Sequence, residues 1–162
     1  MNPLGVQAMV TRRHLLLACM ASVVPLQNAL AAGRTLPASA NLPQELKQAL
    51  AKHEPLVVMV SLHGCPFCEV VRNNYLGPMH EREGLQVVQI DMLEQRATVD
   101  LAGQATTHAA LARAWDIKVA PTVLFFGQGG REVAPRLAGG DNDFYSGLLD
   151  RRLETARREL NG

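Results

Sequence analysis

Short apolar runs alternate along the chain with segments in which apolar residues recur at helical spacing. Residues 56–62 (LVVMVSL) are apolar almost without interruption and rich in valine, a pattern that predicts a strand buried on both faces. Apolar runs at 85–92 and 119–126 predict two further strands. The glycines at 127–130 signal a hairpin turn, after which residues 131–138 are expected to form the returning strand.

Helical spacing marks two places in the first half of the domain. A helix capped by Asn41 carries an apolar stripe that extends to His53, and Pro55 is expected to stop it. A second helix is expected to follow the first strand as far as Met79. A break or bend is predicted within it at residues 77–78 (Gly-Pro), because proline cannot donate the backbone hydrogen bond of a helix interior.

The second half of the chain adds a loop and two helices. Residues 93–105 fit neither period and are expected to form a long loop. Thr106 or Thr107 is predicted to cap a short helix, and residues 141–143 to cap a last one. The order of elements predicts an α/β fold with a central mixed sheet of about four strands flanked by helices. Helical crossovers imply parallel pairing, and the closing hairpin adds an antiparallel strand.

The N-terminus has the order of a secretory signal peptide. Arg12 and Arg13 precede residues 15–24 (LLLACMASVV), which carry no charge. Pro25 then breaks any helix, and residues 29–31 (Ala-Leu-Ala) offer the small side chains that a signal peptidase requires. The apolar run is too short to span a bilayer. The paired arginines also resemble a twin-arginine export signal, so the export route stays open.

We therefore predict a signal peptide at residues 1–31, a linker at 32–40 and a domain at 41–162. With 162 residues and 48% apolar side chains, the chain suits one folded domain. Its net charge of +1 argues against binding nucleic acid or an anionic membrane. Removal of the signal takes away two basic side chains, no acidic ones and Cys19. The exported chain then holds two cysteines in an oxidising compartment, and we expect a periplasmic protein without stable membrane insertion.

Those two cysteines, Cys65 and Cys68, follow a buried strand and open a helix, the context in which a C-x-x-C pair indicates redox chemistry. The unpaired N–H groups and the positive dipole end of a first helical turn favour a thiolate. Cysteines in such places have pKa values of roughly 3.5 to 7.5 rather than about 8.5. Pro66 suits the first helical position. Cys65 is expected to be exposed and to act as nucleophile, and Cys68 to be shielded and to resolve the mixed disulfide.

Other uses of the two cysteines compete with redox chemistry. A structural disulfide here would close a very small loop and restrict the unfolded chain little. A zinc site would need His63, His80 and His108 to converge on the thiols. Covalent haem attachment requires histidine after the second cysteine, where Glu69 stands. A copper-delivery site with two thiolates and one histidine stays open.

Two segments carry a family resemblance. Residues 56–69 (LVVMVSLHGCPFCE) and 119–132 (VAPTVLFFGQGGRE) resemble the thioredoxin superfamily in order and separation. The resemblance covers roughly residues 41–160, and within the superfamily the chain is most similar to exported thioredoxin-related proteins of the SoxW type. It implies a cis proline facing the dithiol, a position that Pro121, preceded by Ala120, matches. Such a proline leaves nearby backbone groups free to pair with a substrate strand.

The chain also departs from cytosolic thioredoxins. Gly64 replaces their tryptophan, and Pro66-Phe67 replaces their Gly-Pro. Met59 stands where they carry a buried acid that shuttles protons to the resolving thiol. Pro-aromatic dipeptides occur in glutaredoxins and, with histidine, in exported dithiol oxidases. The large helical insertion of those oxidases has no counterpart, because residues 93–118 are too few to form it.

Side chains beside the cysteines are candidates for tuning them, among them Pro66 and Phe67. His63 would favour the Cys65 thiolate if it became cationic nearby, and it is equally a solvated turn residue. Glu69 would either oppose formation of the thiolate or shuttle protons to Cys68. The alternative is that Glu69 is a solvated residue of the helix surface with no role at the thiols.

The predicted function is that of a periplasmic thiol–disulfide oxidoreductase that reduces disulfides of exported proteins. No cofactor is expected beyond the redox-active Cys65–Cys68 disulfide. The expected partners are protein thiols and disulfides. The resemblance alone implies reduction fed by a membrane electron donor. The alternatives are a copper, zinc or cytochrome-maturation binding module that uses the same thiols, and a dithiol oxidase.

Overall fold

A four-stranded mixed sheet with helices on both faces forms the domain. The computed structural model describes residues 33–140 and 144–162, so the predicted signal peptide and the capping residues 141–143 lie outside it. The strands are β1 (Leu56–Ser61), β2 (Val87–Asp91), β3 (Ala97–Val99), β4 (Ala105–Thr107), β5 (Thr122–Phe126) and β6 (Glu132–Ala138). The sheet has the order β2-β1-β5-β6, and β3 pairs with β4 in a separate hairpin. The fold class predicted from the sequence is confirmed.

Within the described residues, five α-helices surround the sheet. They are α1 (Leu42–Leu50), α2 (Pro66–Val71), α3 (Gly77–Glu83), α4 (His108–Ala114) and α5 (Tyr145–Asn161). Asn41 caps α1 by accepting the N–H of Gln44, and Thr107 caps α4 by accepting that of Ala110. Both caps agree with the sequence. None of the described helices has the length and apolar character needed to cross a membrane.

Strand β1 lies between two apolar cores and contributes side chains to both. Every residue of β1 is buried, as the continuous apolar run predicts. Val57 and Met59 face a core that includes side chains of α2 and α5. Val58 and Val60 face a second core that is built with α1 and α4. Because side chains alternate across a strand, burial on both faces requires apolar residues at successive positions.

Among the described strands of the sheet, one neighbouring pair is parallel and the other two pairs are antiparallel. β1 and β2 run parallel, as expected for strands joined by helices. β5, by contrast, pairs antiparallel with β1 as well as with β6. The sequence-based prediction that helical crossovers give parallel pairing is therefore wrong for β5. The five residues of β5 are all buried, and such a run carries no signal of strand direction.

Part of the predicted linker packs against the domain. Leu36 is buried, the Ser39 N–H donates to the Gln89 carbonyl at 2.9 Å, and the Gln89 N–H donates to the Pro37 carbonyl at 2.8 Å. This segment therefore extends the edge of the sheet beside β2. Because the segment consists of small residues and a proline, its sequence shows no strand pattern from which this pairing could be predicted. The predicted apolar stripe of α1 is wrong at His53, which lies beyond the end of α1 with φ of 58° and is exposed.

Two irregular stretches also differ from expectation. The helix that begins at Pro66 reaches Gly77-Pro78 through a π-helical turn at Arg72–Leu76 and continues as α3. The wider turn places Pro78 at the start of a new α-helical segment, where its missing N–H is tolerated. The segment expected to be a long loop, residues 93–105, contains β3, and β4 begins at its last residue. Its strands have three residues each, and the one buried residue among the six is the polar Thr98, so they show no apolar alternation.

Candidate active site

The two cysteines meet where β1 gives way to α2. They are joined in a disulfide, with their Cα atoms 5.2 Å apart. Cys65 is the N-cap of α2, and its Sγ accepts the backbone N–H of Cys68 at 3.2 Å. Pro66 follows as the first helical residue, and the Glu69 N–H donates to the Cys65 carbonyl at 3.2 Å. The first turn of this helix thus directs backbone N–H groups towards Cys65, an arrangement that favours negative charge on its sulfur.

The two cysteines differ in exposure. Cys68 is fully buried, whereas Cys65 is half-buried. Cys68 packs in the same apolar core as Met59 and Val71. A thiol or disulfide that arrives from solvent therefore meets Cys65 first. The apolar surroundings of Cys68 favour its neutral thiol in the reduced state.

A cis peptide bond lies opposite the disulfide. The bond between Ala120 and Pro121 is cis, as the family resemblance implies. The carbonyl oxygen of Ala120 is 3.7 Å from Cys65 Sγ. Thr122 Oγ1 donates to the Val119 carbonyl at 2.8 Å and so fixes the approach to β5. β5 is an inner strand of the sheet, and Pro121 precedes its first residue.

Gly139 and Gly140 contact Pro121, and neither of them is identified as part of the site from the sequence. The Gly139 N–H donates to the Pro121 carbonyl at 2.8 Å. A Cβ on Gly140 would lie 2.9 Å from Pro121 Cγ and 3.2 Å from Phe67 Cβ. Only a residue without a side chain allows this approach. The signal in the sequence is the Gly-Gly dipeptide directly after the last strand.

The candidate tuning residues lie at the surface around the disulfide. His63 and Glu69 are exposed, and both line a polar cavity beside Cys65. Phe67 is 50% exposed and Val119 is 47% exposed. These two apolar side chains flank the disulfide and the cis proline, respectively.

The three histidines do not converge on the thiols as a zinc site requires, although His63 and His108 both line the cavity beside Cys65. His108 is buried, with Nε2 2.8 Å from the Ser39 carbonyl and Nδ1 accepting the Asp91 N–H at 3.3 Å. His80 Nδ1 is 2.9 Å from the Leu85 carbonyl. Within residues 33–140 and 144–162, no three His, Cys, Asp or Glu side chains are placed to hold a metal ion.

The fold and the disulfide define a class of protein, a thioredoxin-fold thiol–disulfide oxidoreductase. A family model of the thioredoxin-like domain matches residues 42–143. The chain therefore belongs to the thioredoxin-like domain family.

The chain is similar to solved structures with low sequence identity. Thioredoxin f from spinach chloroplast is 18% identical, with a TM-score of 0.51 over 78% of this chain and 97% of that one. Mitochondrial thioredoxin 3 from Saccharomyces cerevisiae is 13% identical, with a TM-score of 0.49 over 74% of this chain and 93% of that one. Among curated proteins, none matches the sequence.

Proposed function

We propose that the chain is an exported, SoxW-type reductase that breaks disulfides of other exported proteins in the periplasm. One observation carries the proposal. The disulfide at the start of α2 joins a half-buried Cys65, less exposed than the sequence predicts, to a fully buried Cys68. This asymmetry separates the atom that attacks from the atom that resolves, as disulfide exchange requires.

In the first step, the Cys65 thiolate attacks one sulfur of the substrate disulfide. A mixed disulfide forms, and the other substrate sulfur leaves as a thiolate that takes a proton from solvent. The Cys68 N–H, 3.2 Å from Cys65 Sγ, stabilises the attacking thiolate. The Ala120 carbonyl oxygen is 3.7 Å from the same sulfur. A substrate backbone N–H that donates to this carbonyl therefore lies beside the reacting disulfide bond.

In the second step, Cys68 loses its proton and attacks Cys65. The intramolecular disulfide forms and the second substrate thiolate leaves. The backbone places the two sulfurs in reach of each other, so this step is effectively unimolecular. The family resemblance places Met59 where thioredoxins carry a buried proton-shuttling acid, so we expect water to take the proton of Cys68 in this chain.

The test of the two roles uses two substitutions. Cys65→Ser is expected to abolish reduction of a protein disulfide such as insulin. Cys68→Ser is expected to keep the first step and to accumulate mixed disulfides with substrate proteins. The double variant Cys65→Ser/Cys68→Ser should trap nothing and serves as the control. Full turnover by Cys65→Ser would end the proposal.

The direction of electron flow is tested by the reduction potential of the Cys65–Cys68 couple. A reductase fed by a membrane electron donor is expected near the potential of thioredoxin, about −270 mV. A value of about −120 mV, typical of a strong exported oxidant, would assign the chain to the dithiol oxidases instead.

Export is tested by the N-terminal sequence of the full chain after expression. The proposal predicts a periplasmic protein that begins at Ala32. A chain that stays in the cytoplasm with residues 1–31 attached would contradict it.

A further inference from the structure

A polar cavity adjoins Cys65 on the side away from the cis proline. Its volume is about 410 Å³, within the range of small-molecule sites. The loop after β1, α2 with the π-helical turn that follows it, the carboxyl end of β2 and the residues just before β3 form its wall. The wall includes Cys65, Glu69, Arg72, Asp91 and Arg96. A redox-active sulfur and charges of both signs therefore share one cavity.

The cavity is separate from the surface around Pro121. β1 lies between β2 and β5 in the sheet, so Cys65, which follows β1, has a neighbour on each side. On the β5 side are the Ala120 carbonyl and the exposed apolar Val119. On the β2 side is the charged cavity. An extended peptide fits the first side, and a small charged molecule fits the second.

The charged groups of the cavity retain bonding capacity. Among the described residues, Arg72 uses its Nε to bind Gln89 Oε1 at 2.9 Å, which leaves its terminal nitrogens for a ligand. Arg96 likewise uses its Nε, which binds Glu94 at 3.0 Å. Asp91 Oδ1 accepts the Leu93 N–H at 2.9 Å, and its second oxygen is not used in this way. Two guanidinium groups thus match a carboxylate, and Asp91 matches an ammonium.

From this juxtaposition, we propose that the cavity binds a low-molecular-mass disulfide of the amino-acid type, with both carboxylate and ammonium groups, as a second substrate of Cys65. The inference rests on the proposed function and names an additional substrate class for the same dithiol.

The reaction balances as two exchanges. The Cys65 thiolate attacks one sulfur of the small disulfide, and the first amino-acid thiolate leaves. Cys68 then attacks Cys65, closes the intramolecular disulfide and releases the second amino-acid thiolate. The dithiol loses two electrons, the small disulfide gains them, and the two dithiol protons end on the two product thiols. Each reduced chain thus consumes one small disulfide.

The test compares two disulfides in single turnover with the reduced chain. Cystine carries both charges, and bis(2-hydroxyethyl) disulfide carries none. The rate of Cys65–Cys68 oxidation by each is followed by quenched alkylation and mass measurement. The cystine-to-hydroxyethyl rate ratio is divided by the same ratio for dithiothreitol, which corrects for intrinsic reactivity. One charge-assisted hydrogen bond in the cavity predicts a corrected ratio of about ten or more.

Variants locate the effect in the cavity. Arg72→Gln is expected to lower the corrected ratio towards one. Arg96→Gln is expected to lower the ratio in the same direction, and because Arg96 is exposed this substitution is less able to disturb folding. Arg131→Gln, an exposed arginine beyond the β5–β6 turn, should leave it unchanged.

Two results would overturn this inference. One is a corrected ratio near one for the unmodified chain, and the other is an equal loss in all three arginine variants. If insulin is still reduced in either case, the proposed function stands and only the small-disulfide site fails. If neither insulin nor cystine is reduced, the proposed function fails as well.

Discussion

Substitution of Gly140 by alanine tests how the cis proline is held beside the disulfide. The added Cβ would lie 2.9 Å from Pro121 Cγ, a separation that real Cβ atoms essentially never show. It would also lie 3.2 Å from Phe67 Cβ and from Val71 Cγ2. The proline ring or α2 must therefore shift by several tenths of an ångström. Overpacking of this kind costs about 1–3 kcal/mol.

The assay pairs urea denaturation with the rate of disulfide exchange. We expect Gly140→Ala to lower the free energy of unfolding by about 1–3 kcal/mol. Exchange with a protein disulfide should slow, because Pro121 and Phe67 flank the reacting sulfur. Gly147→Ala is the matched control. Its Cβ would meet only the Arg151 side chain at 3.5 Å within α5, so a gain of up to about 1 kcal/mol is expected. Unchanged stability and rate in Gly140→Ala would refute the reasoning.

Two further predictions concern buried polar groups. His108→Leu removes the partner of the Ser39 carbonyl and of the Asp91 N–H, and should lower the free energy of unfolding by about 2–4 kcal/mol in urea titration. The Tyr145 hydroxyl has no hydrogen-bond partner among the described residues, so Tyr145→Phe should leave stability equal or higher at neutral pH. Burial, followed by the charge of Tyr75, raises the pKa of Tyr145 above its usual 10.0. The unfolded chain therefore ionises first as the pH rises past 10, and thermal unfolding should show a loss of stability there that Tyr145→Phe reduces.

Much of the fold could be predicted because burial leaves a direct mark on the sequence. The all-buried β1 is a continuous apolar run, and Asn41 and Thr107 are side chains that cap helices by a local hydrogen bond. The hairpin of β5 and β6 follows from the glycines between them. Each of these features depends on neighbours in the chain.

Features that depend on distant contacts could not be predicted in this way. The antiparallel direction of β5 follows from the path of the whole connection before it. The backbone bonds of Gln89 with Ser39 and Pro37 join a segment of small residues to a strand about 50 positions away. The π-helical turn before Gly77 adapts the chain to Pro78, and no residue pattern in Arg72–Leu76 announces it.

The candidate site divides in the same manner. Cys65 and Cys68 could be found from their spacing and from the strand before them. Pro121 was recognised through the family resemblance, because a proline at the start of a strand is not by itself evidence of a cis bond. Gly140 acts only through its contact with Pro121 and Phe67, which no local pattern reveals.

The central claim is that the start of α2 makes the sulfur of Cys65 anionic near neutral pH. The most direct measurement is the rate of alkylation of Cys65 by iodoacetamide in the reduced chain, from pH 4 to pH 10, with the modified peptide identified by mass. The helix N-terminus and the Cys68 N–H predict a half-maximal rate below about pH 7.5. A half-maximal rate at about pH 8.5, as for an ordinary cysteine, would contradict the account.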